Sequence, residues 1–389
     1  MTRPTSGSTP PPQTSLGEIA GLFLKLGTIA FGGPAAHIAM MEDEVVRRRG
    51  WLSREAYLDY LGATNLIPGP NSTELAIHIG RDRAGWRGLL VAGTCFILPS
   101  ALLTTGFGWA YVRYGSLPVV EGVLYGVKPV VIAVVVQALW GLGRTALKTR
   151  LLMALGISAI AAVCLGMHEL AVLASAGLVM AAVRAMDRGP SRTTAAGGAA
   201  SMAVLISGSA AASATPFGLW PLFGVFAKIG AVLFGSGYVL LAFLRADLVE
   251  RLGWLTERQL LDAVAVGQVT PGPVFTTATF IGYILGGGNG ALVATLGIFL
   301  PAFIFVALSG LILPTLRRSP VTGAVLDGVN VASLALMAVV SWQLARLALV
   351  DPLAVALAVV SGVLLFRFRV NSAWLVLVGA IIGVLRGLT

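Results

Sequence analysis

Asn65-Leu66-Ile67-Pro68-Gly69-Pro70-Asn71-Ser72-Thr73-Glu74 interrupts an apolar run at about residues 61–80. Proline lacks a backbone donor and clashes with the preceding helical turn, and glycine adds slack. The run must therefore break and a fresh helix must start just beyond it. Asn71 suits the N-cap, with Glu74 at the capping-box position three residues on. A helix that begins inside a membrane points unpaired N–H groups and a positive dipole end at whatever lies ahead of it, a natural seat for an anion. The device recurs as Val269-Thr270-Pro271-Gly272-Pro273-Val274, so Pro68 and Pro271 lie 203 positions apart.

That offset reveals an internal repeat. Lys25-Leu26-Gly27 meets Lys228-Ile229-Gly230, Phe31-Gly32 meets Phe234-Gly235, Glu44 meets Asp247, and Gly50-Trp51-Leu52-Ser53 meets Gly253-Trp254-Leu255-Thr256. With one residue deleted, Pro99 meets Pro301, Gly126-Val127 meets Gly328-Val329, Trp140 meets Trp342 and Arg144 meets Arg346. Internal repeats with interrupted helices are characteristic of secondary transporters, whose site lies at the repeat interface.

Composition places the repeat in a bilayer. Of 389 residues 57% are hydrophobic and 11% charged, against about 25% charged in a soluble domain, and the mean hydropathy is +0.87. The apolar runs have helix length, not the ten-residue alternation of an outer-membrane barrel. The net charge of +10 reflects arginines in short loops, as expected where loops face the cytoplasm, and no nucleic-acid partner is expected. Cys95 and Cys164 lie in apolar runs and form neither metal spacing nor a disulfide framework. No phosphate-cradling Gly-rich loop, metal cluster or nucleophile–base set appears, so ATP, a metal and a cofactor are not expected. Catalytic residues are not expected either.

Windows of helix length fall at about 19–41, 61–80, 89–112, 119–141, 151–166 and 169–183, and again at about 218–243, 262–286, 291–313, 322–345, 351–366 and 371–385. A Pro/Ser/Thr-rich tail, 1–15, reads as disordered. The first domain spans 16–183, a linker 184–217 with a weak apolar run at about 202–216, and the second domain 218–389. Basic clusters follow the second, fourth and sixth segments of the first half (Arg81/Arg83/Arg87, Arg144/Lys148/Arg150, Arg184/Arg188/Arg192) but the third and fifth of the second (Arg317/Arg318, Arg367/Arg369). If 202–216 crosses, all face one side, and the repeat is inverted. The expected fold is an all-α polytopic membrane protein with broken or re-entrant helices and about 12–13 transmembrane segments. Its N-terminus is inside. The loop Glu42–Tyr60, with Arg47, Arg48, Arg49 and Arg54, fits only if it is an amphipathic interfacial helix or if the first two segments are re-entrant hairpins.

Candidate site residues follow. Helix breaks are expected at Gly32, Gly33 and Pro34, at Pro68, Gly69 and Pro70, at Gly235–Gly237, and at Pro271, Gly272 and Pro273, converging near the midplane. Lys25 and Lys228, equivalent charges inside broken segments, either line the anion site or snorkel to the interface. Lys128 adds positive charge, or pairs with Glu121 or Glu74. Asn71, Ser72, Thr73, Thr276 and Thr277 offer donors to an oxyanion. Glu74 reads first as a capping carboxylate, with proton coupling as the alternative, and His37 and His78 titrate near neutral pH. Thr256 with Gln259 fits a capping box.

The segment Phe31-Gly32-Gly33-Pro34-Ala35-Ala36-His37-Ile38, the acidic–basic stretch ending in Gly50-Trp51-Leu52, and the duplicated Pro-Gly-Pro resemble the long-chain chromate transporters over about residues 16–389. That resemblance implies a multi-pass inner-membrane exporter of chromate that confers chromate resistance. Sulfate is implied as an isosteric competing or exchanged dianion, with ion gradients or membrane potential as driving force and a homodimer as an open possibility. The second half departs from the first at Ser236-Gly237 and at Thr277, where the first has Gly33-Pro34 and Glu74. Other readings are a channel or transporter for another small anion, and a membrane enzyme, for which no titratable cluster is evident.

Overall fold

A computed structural model describes residues 14–31, 33–115, 117–186, 216–234, 237 and 239–387, with backbone alone at 311–318 and 320. Gly32, Gly235 and Ser236, the tail to Gln13 and linker residues 187–215 lie outside the described residues.

Among the described residues each half contributes seven α-helices and no strand. The first half comprises α1 (Leu16–Ile29), α2 (Gly33–Glu42), α3 (Arg54–Thr64), α4 (Asn71–Tyr114), α5 (Pro118–Ala146), α6 (Arg150–Cys164) and α7 (Glu169–Met186). The second comprises α8 (Leu219–Val232), α9 (Leu240–Leu244), α10 (Glu257–Val269), α11 (Thr277–Arg318), α12 (Pro320–Ala348), α13 (Pro352–Arg367) and α14 (Ser372–Gly387). A π-helical turn extends α2 (Asp43–Arg48) and α9 (Arg245–Arg251), and a 3-10 turn (Val274–Thr276) precedes α11. Five helical stretches, in α4, α5, α7, α11 and α12, are long and apolar enough to cross a membrane. The chain is a multi-pass membrane protein.

The side-chain pairs show that the first two segments of each half turn back. Lys25 Nζ donates to Glu44 Oε1 at 2.6 Å although 19 residues separate them. A continuous helix would hold them about 28 Å apart at 1.5 Å per residue, so α2 returns alongside α1. Asn71 Nδ2 donates to Asn65 Oδ1 at 2.8 Å, and the Tyr60 hydroxyl donates to Asp82 at 2.6 Å across 22 residues. The second segment therefore also folds on its proline break. Arg83 closes the account: its Nε donates to Thr14 Oγ1 and its Nη1 to Trp51 O. Entry, middle loop and exit thus share one face. The second half repeats the clamp with Lys228 and Asp247 at 2.6 Å, again 19 residues apart.

What looks like one 44-residue helix in α4 is a returning arm and a crossing arm. Ala84 (φ −145°, ψ 27°) and Gly85 (φ 61°, ψ −144°) leave the helical region and reverse the chain. Only glycine adopts that second conformation without strain. Gly80 and Gly88 then meet backbone to backbone, where any Cβ would strike the opposite carbonyl. In α11 the reversal falls at Gly286–Gly287, with Thr279 and Thr295 hydroxyls bonded across it at 2.7 Å. Helices fill the twelve expected windows, but in each half two turn back and four run through the bundle. Eight segments therefore cross among the described residues where about 12–13 were expected, and the weak run at 202–216 lies outside the described residues. Because the first hairpin returns, the loop with Arg47–Arg49 and Arg54 joins the other basic loops, and the re-entrant alternative accounts for it.

The halves are inverted. Tyr111, near the far end of α4, contacts Asp262 and Phe280 in the entering arms of the second half, while Arg81, at the near face, reaches Val306 O toward the end of α11. The bundle is also exchanged between halves: α5 packs on α13 and α14, and α12 on α6 and α7. Small residues permit this closeness, as in membrane helix pairs generally. Gly122 and Gly126 lie against the backbone of Gly383 and Gly379, and Gly328 against Ala176 O.

Candidate functional site

The four re-entrant tips meet one another. Gly69 N donates to Leu233 O at 2.8 Å, and Gly272 N donates to Ala30 O at 2.9 Å. These bonds are equivalent under the 203-residue offset, so the second tip of each half is tied to the first tip of the other. Positive φ at Gly69 (139°) and Gly272 (88°) lets each peptide turn its N–H toward the partner carbonyl.

Around Gly69 the polar groups belong to the start of α4. His37 bridges to it from α2, with Nε2 at 3.0 Å from Ala30 O and Nδ1 at 3.3 Å from Ser72 Oγ. Ser72, Thr73 and Glu74 are buried. Thr73 Oγ1 and both Glu74 carboxylate oxygens have no hydrogen-bond partner among the described residues. The Glu74 carboxyl folds back over Gly69, where any Cβ would collide with Oε1. This overturns the capping reading. The cap position is Pro70, whose side chain has no acceptor to offer, and Asn71 is already the first helical residue, its Nδ2 donating to Asn65. The capping box at Thr256 and Gln259 does form, as does one at Ser15 and Glu18.

The second half is built differently at the matching point. Thr276 Oγ1 donates to Pro273 O at 2.8 Å and pairs with Ser100 Oγ at 2.8 Å, while Thr277 Oγ1 donates to Val274 O at 2.8 Å. Their protons are therefore committed to backbone, not held free for a ligand. Gly272 lies against Ser100 and Gly27 O, whereas the equivalent Gly69 faces Ala302. The repeat loses its one residue here. Asn71–Glu74 makes four α-helical residues of about 6 Å rise, and Val274–Thr276 makes three 3-10 residues of the same rise. The tighter turn absorbs the deletion and leaves Glu74 without an equivalent carboxylate.

The lysines are placed otherwise than the anion-site reading expects. Lys25 and Lys228 clamp their hairpins to Glu44 and Asp247. Arg48 and Arg49 share the first carboxylate and Arg251 the second. Neither lysine stands at a helix N-terminus. Lys128 pairs with neither Glu121 nor Glu74. Its Nζ is 2.6 Å from Asp262 Oδ1, with side chains 13% and 1% exposed, and the Tyr111 hydroxyl donates to Asp262 Oδ2 at 2.8 Å. Glu121 is taken by Arg258. This buried bridge between α5 of one half and α10 of the other went unread in the sequence, although a lone carboxylate in Leu260-Leu261-Asp262-Ala263-Val264 is the kind of intramembrane charge that signals a partner. His78 stacks on Tyr60 at 5.4 Å. Among the described residues no cluster suited to a metal occurs.

The sequence pattern of the chromate transporter family matches residues 17–182 and 220–384, one copy per half. The chain belongs to the chromate transporter family. It is 33% identical over 376 residues to the chromate transport protein of Cupriavidus metallidurans, covering 95% of this chain and 92% of that one. It is 31% identical over 363 residues to the chromate transport protein of Pseudomonas aeruginosa, covering 88% and 84%. It is 29% identical over 379 residues to the probable chromate transport protein of Synechococcus elongatus, covering 91% and 96%. No solved structure matches the chain. The two family matches coincide with the two inverted halves, and the unmatched centre contains the linker.

Proposed function

We propose that the chain is a secondary transporter that moves chromate outward across the cytoplasmic membrane, the oxyanion passing through the meeting point of the four tips. The observation that carries this reading is the reciprocal pair of bonds Gly69 N to Leu233 O and Gly272 N to Ala30 O, set in a chain of the chromate transporter family. Inverted hairpins whose tips touch provide a natural alternating gate. Parting either pair would bare backbone donors and a helix start toward one side of the membrane, and these suit a small dianion. The half-one tip holds Ser72 and Thr73, and Gly33 starts α2 three residues beyond Ala30. Asn71 and Thr276–Thr277 would have to exchange their present bonds to take part. Lys25, Lys128 and Lys228 would act as electropositive surroundings, not contacts.

The driving force is adequate. The membrane potential is worth about 2.3 kcal/mol per charge per 100 mV, so an inside-negative cell drives a dianion outward with about twice that. Sulfate has the same shape and charge and should compete. Inverted vesicles bearing the protein should accumulate chromate, lose that uptake when the potential is collapsed, and show inhibition by sulfate. Uptake equal to that of vesicles without the protein refutes the proposal.

A further inference from the structure

We propose that Glu74 must carry a proton for the half-one tip to bind a divalent oxyanion, so that proton and anion are held there together. The inference rests on the transport reading and adds what regulates the site. Glu74 is fully buried, unpartnered among the described residues and folded over Gly69 at the start of the α4 returning arm. Thr73 Oγ1 beside it is also buried and unpartnered. Native structures rarely leave such groups unsatisfied without a role or a missing ligand.

Comparison of the halves sharpens the point. Where the second half answers its tip hydroxyl, Thr276, with Ser100, the first offers Ala302 at the matching place beside Gly69. A negative Glu74 would occupy the positive helix end and repel an arriving dianion. A neutral one presents an O–H that donates to an anion oxygen. The bound anion then keeps that proton on the carboxyl, and release frees both to water on whichever side the tip is open. A dianion and its proton leave with a net charge of −1, so the potential drives the pair with half the drive on the bare dianion.

The neighbouring charges are otherwise engaged. His37, from α2, bonds Ala30 O and Ser72, and Lys25 on α1 is held by Glu44. On the same arm His78 stacks on Tyr60 of α3, whose hydroxyl holds Asp82, and Arg81 bonds Val306 O on α11. From the second half, α11 brings no charged side chain between Thr277 and Gly310, and Lys228 and Lys128 are paired with Asp247 and Asp262. The two histidines are the competing proton acceptors.

Titration calorimetry of sulfate, and of chromate, into the detergent-purified full chain in buffers of different ionisation enthalpy reads the proton directly. Above the pH at which Glu74 ionises, wild type should take up about one proton per anion and lose affinity about tenfold per pH unit, and well below it both should vanish. Glu74→Gln, which mimics the neutral acid, should bind with no uptake and no such slope, while His37→Gln and His78→Gln keep both. Wild-type binding that shows neither uptake nor slope at any pH at which the chain stays folded overturns the proposal. So does uptake that persists in Glu74→Gln or vanishes in either histidine variant, or a folded Glu74→Gln that binds neither anion. If wild type binds neither anion, the transport reading itself fails.

Discussion

Replacing Asp262 by Asn keeps its shape, and an oxygen for the Tyr111 hydroxyl, but strands the Lys128 charge. At the observed 2.6 Å, unit charges attract by about 6 kcal/mol at an effective dielectric of ~20, before desolvation is subtracted. The side chains are 13% and 1% exposed, so water can rescue little of the lysine. Breaking such a pair from one side costs about 3–5 kcal/mol, because the surviving charge stays buried alone. Removing both charges also removes both desolvation penalties, and such double replacements are often neutral or stabilising by about 1–4 kcal/mol. Equilibrium unfolding in mixed micelles should therefore show Asp262→Asn and Lys128→Met each destabilised by several kcal/mol. The double variant should lie near wild type, a coupling of about 6–10 kcal/mol. Single variants within about 0.5 kcal/mol of wild type, or strictly additive effects, would refute the view that this bridge joins the halves in a dry interior.

Other outcomes follow from the same geometry. Cysteines placed singly at Gly50 and Gly85 in a cysteine-free background should react with impermeant reagents from the same side of the membrane, and labelling from opposite sides would exclude the re-entrant hairpins. Gly69→Ala should abolish chromate uptake, since it adds strain at φ 139° and a clash with Glu74 Oε1; normal uptake would show that the tip tolerates a side chain. Gly126→Leu should block α5 from α14, where even a Cβ meets Gly379 O, and abolish the folded monodisperse protein in size exclusion. Asp351, outside the membrane-spanning stretches, is held below its ordinary range by the Tyr125 hydroxyl, by the Ala354 N–H and by Arg386. A depressed carboxylate stabilises above its unfolded value of about 3.9 and loses that contribution as pH falls through the folded one. Asp351→Asn should therefore lower the melting temperature at pH 7 and by progressively less as pH falls below about 4; an effect that does not shrink would contradict the linkage.

Much of this architecture was legible because repetition exposes it. The shared register of Gly, Pro, Trp and Lys gave the two halves, and the arginine parity gave their opposite orientation on the condition that 202–216 crosses. Whether a broken segment continues or turns back was not legible from hydropathy, since both look alike along the chain. The missing clue was a spacing: Lys25 to Glu44 and Lys228 to Asp247 are both 19 residues, too far for one helix and natural for a hairpin centred on the break. Glu74 was misread because Asn-Ser-Thr-Glu is an ordinary helix-start pattern. The bond from Asn71 to Asn65 exists only once the hairpin has folded. Asp262 escaped because its partner lies in the other half, and no local pattern links α10 to α5.

The exchange of helices between halves has a temporal cost. The groove on α5 around Gly126 is filled by Gly379 and Gly383, residues made 253 and 257 positions later (379 − 126 and 383 − 126). At about 5–20 residues per second, the nascent first half waits on the order of ten seconds to a minute with that seam facing lipid. Its biogenesis is thus a matter of keeping an unfinished partner soluble in the bilayer, and slowing translation of the second half should expose the first to membrane proteases.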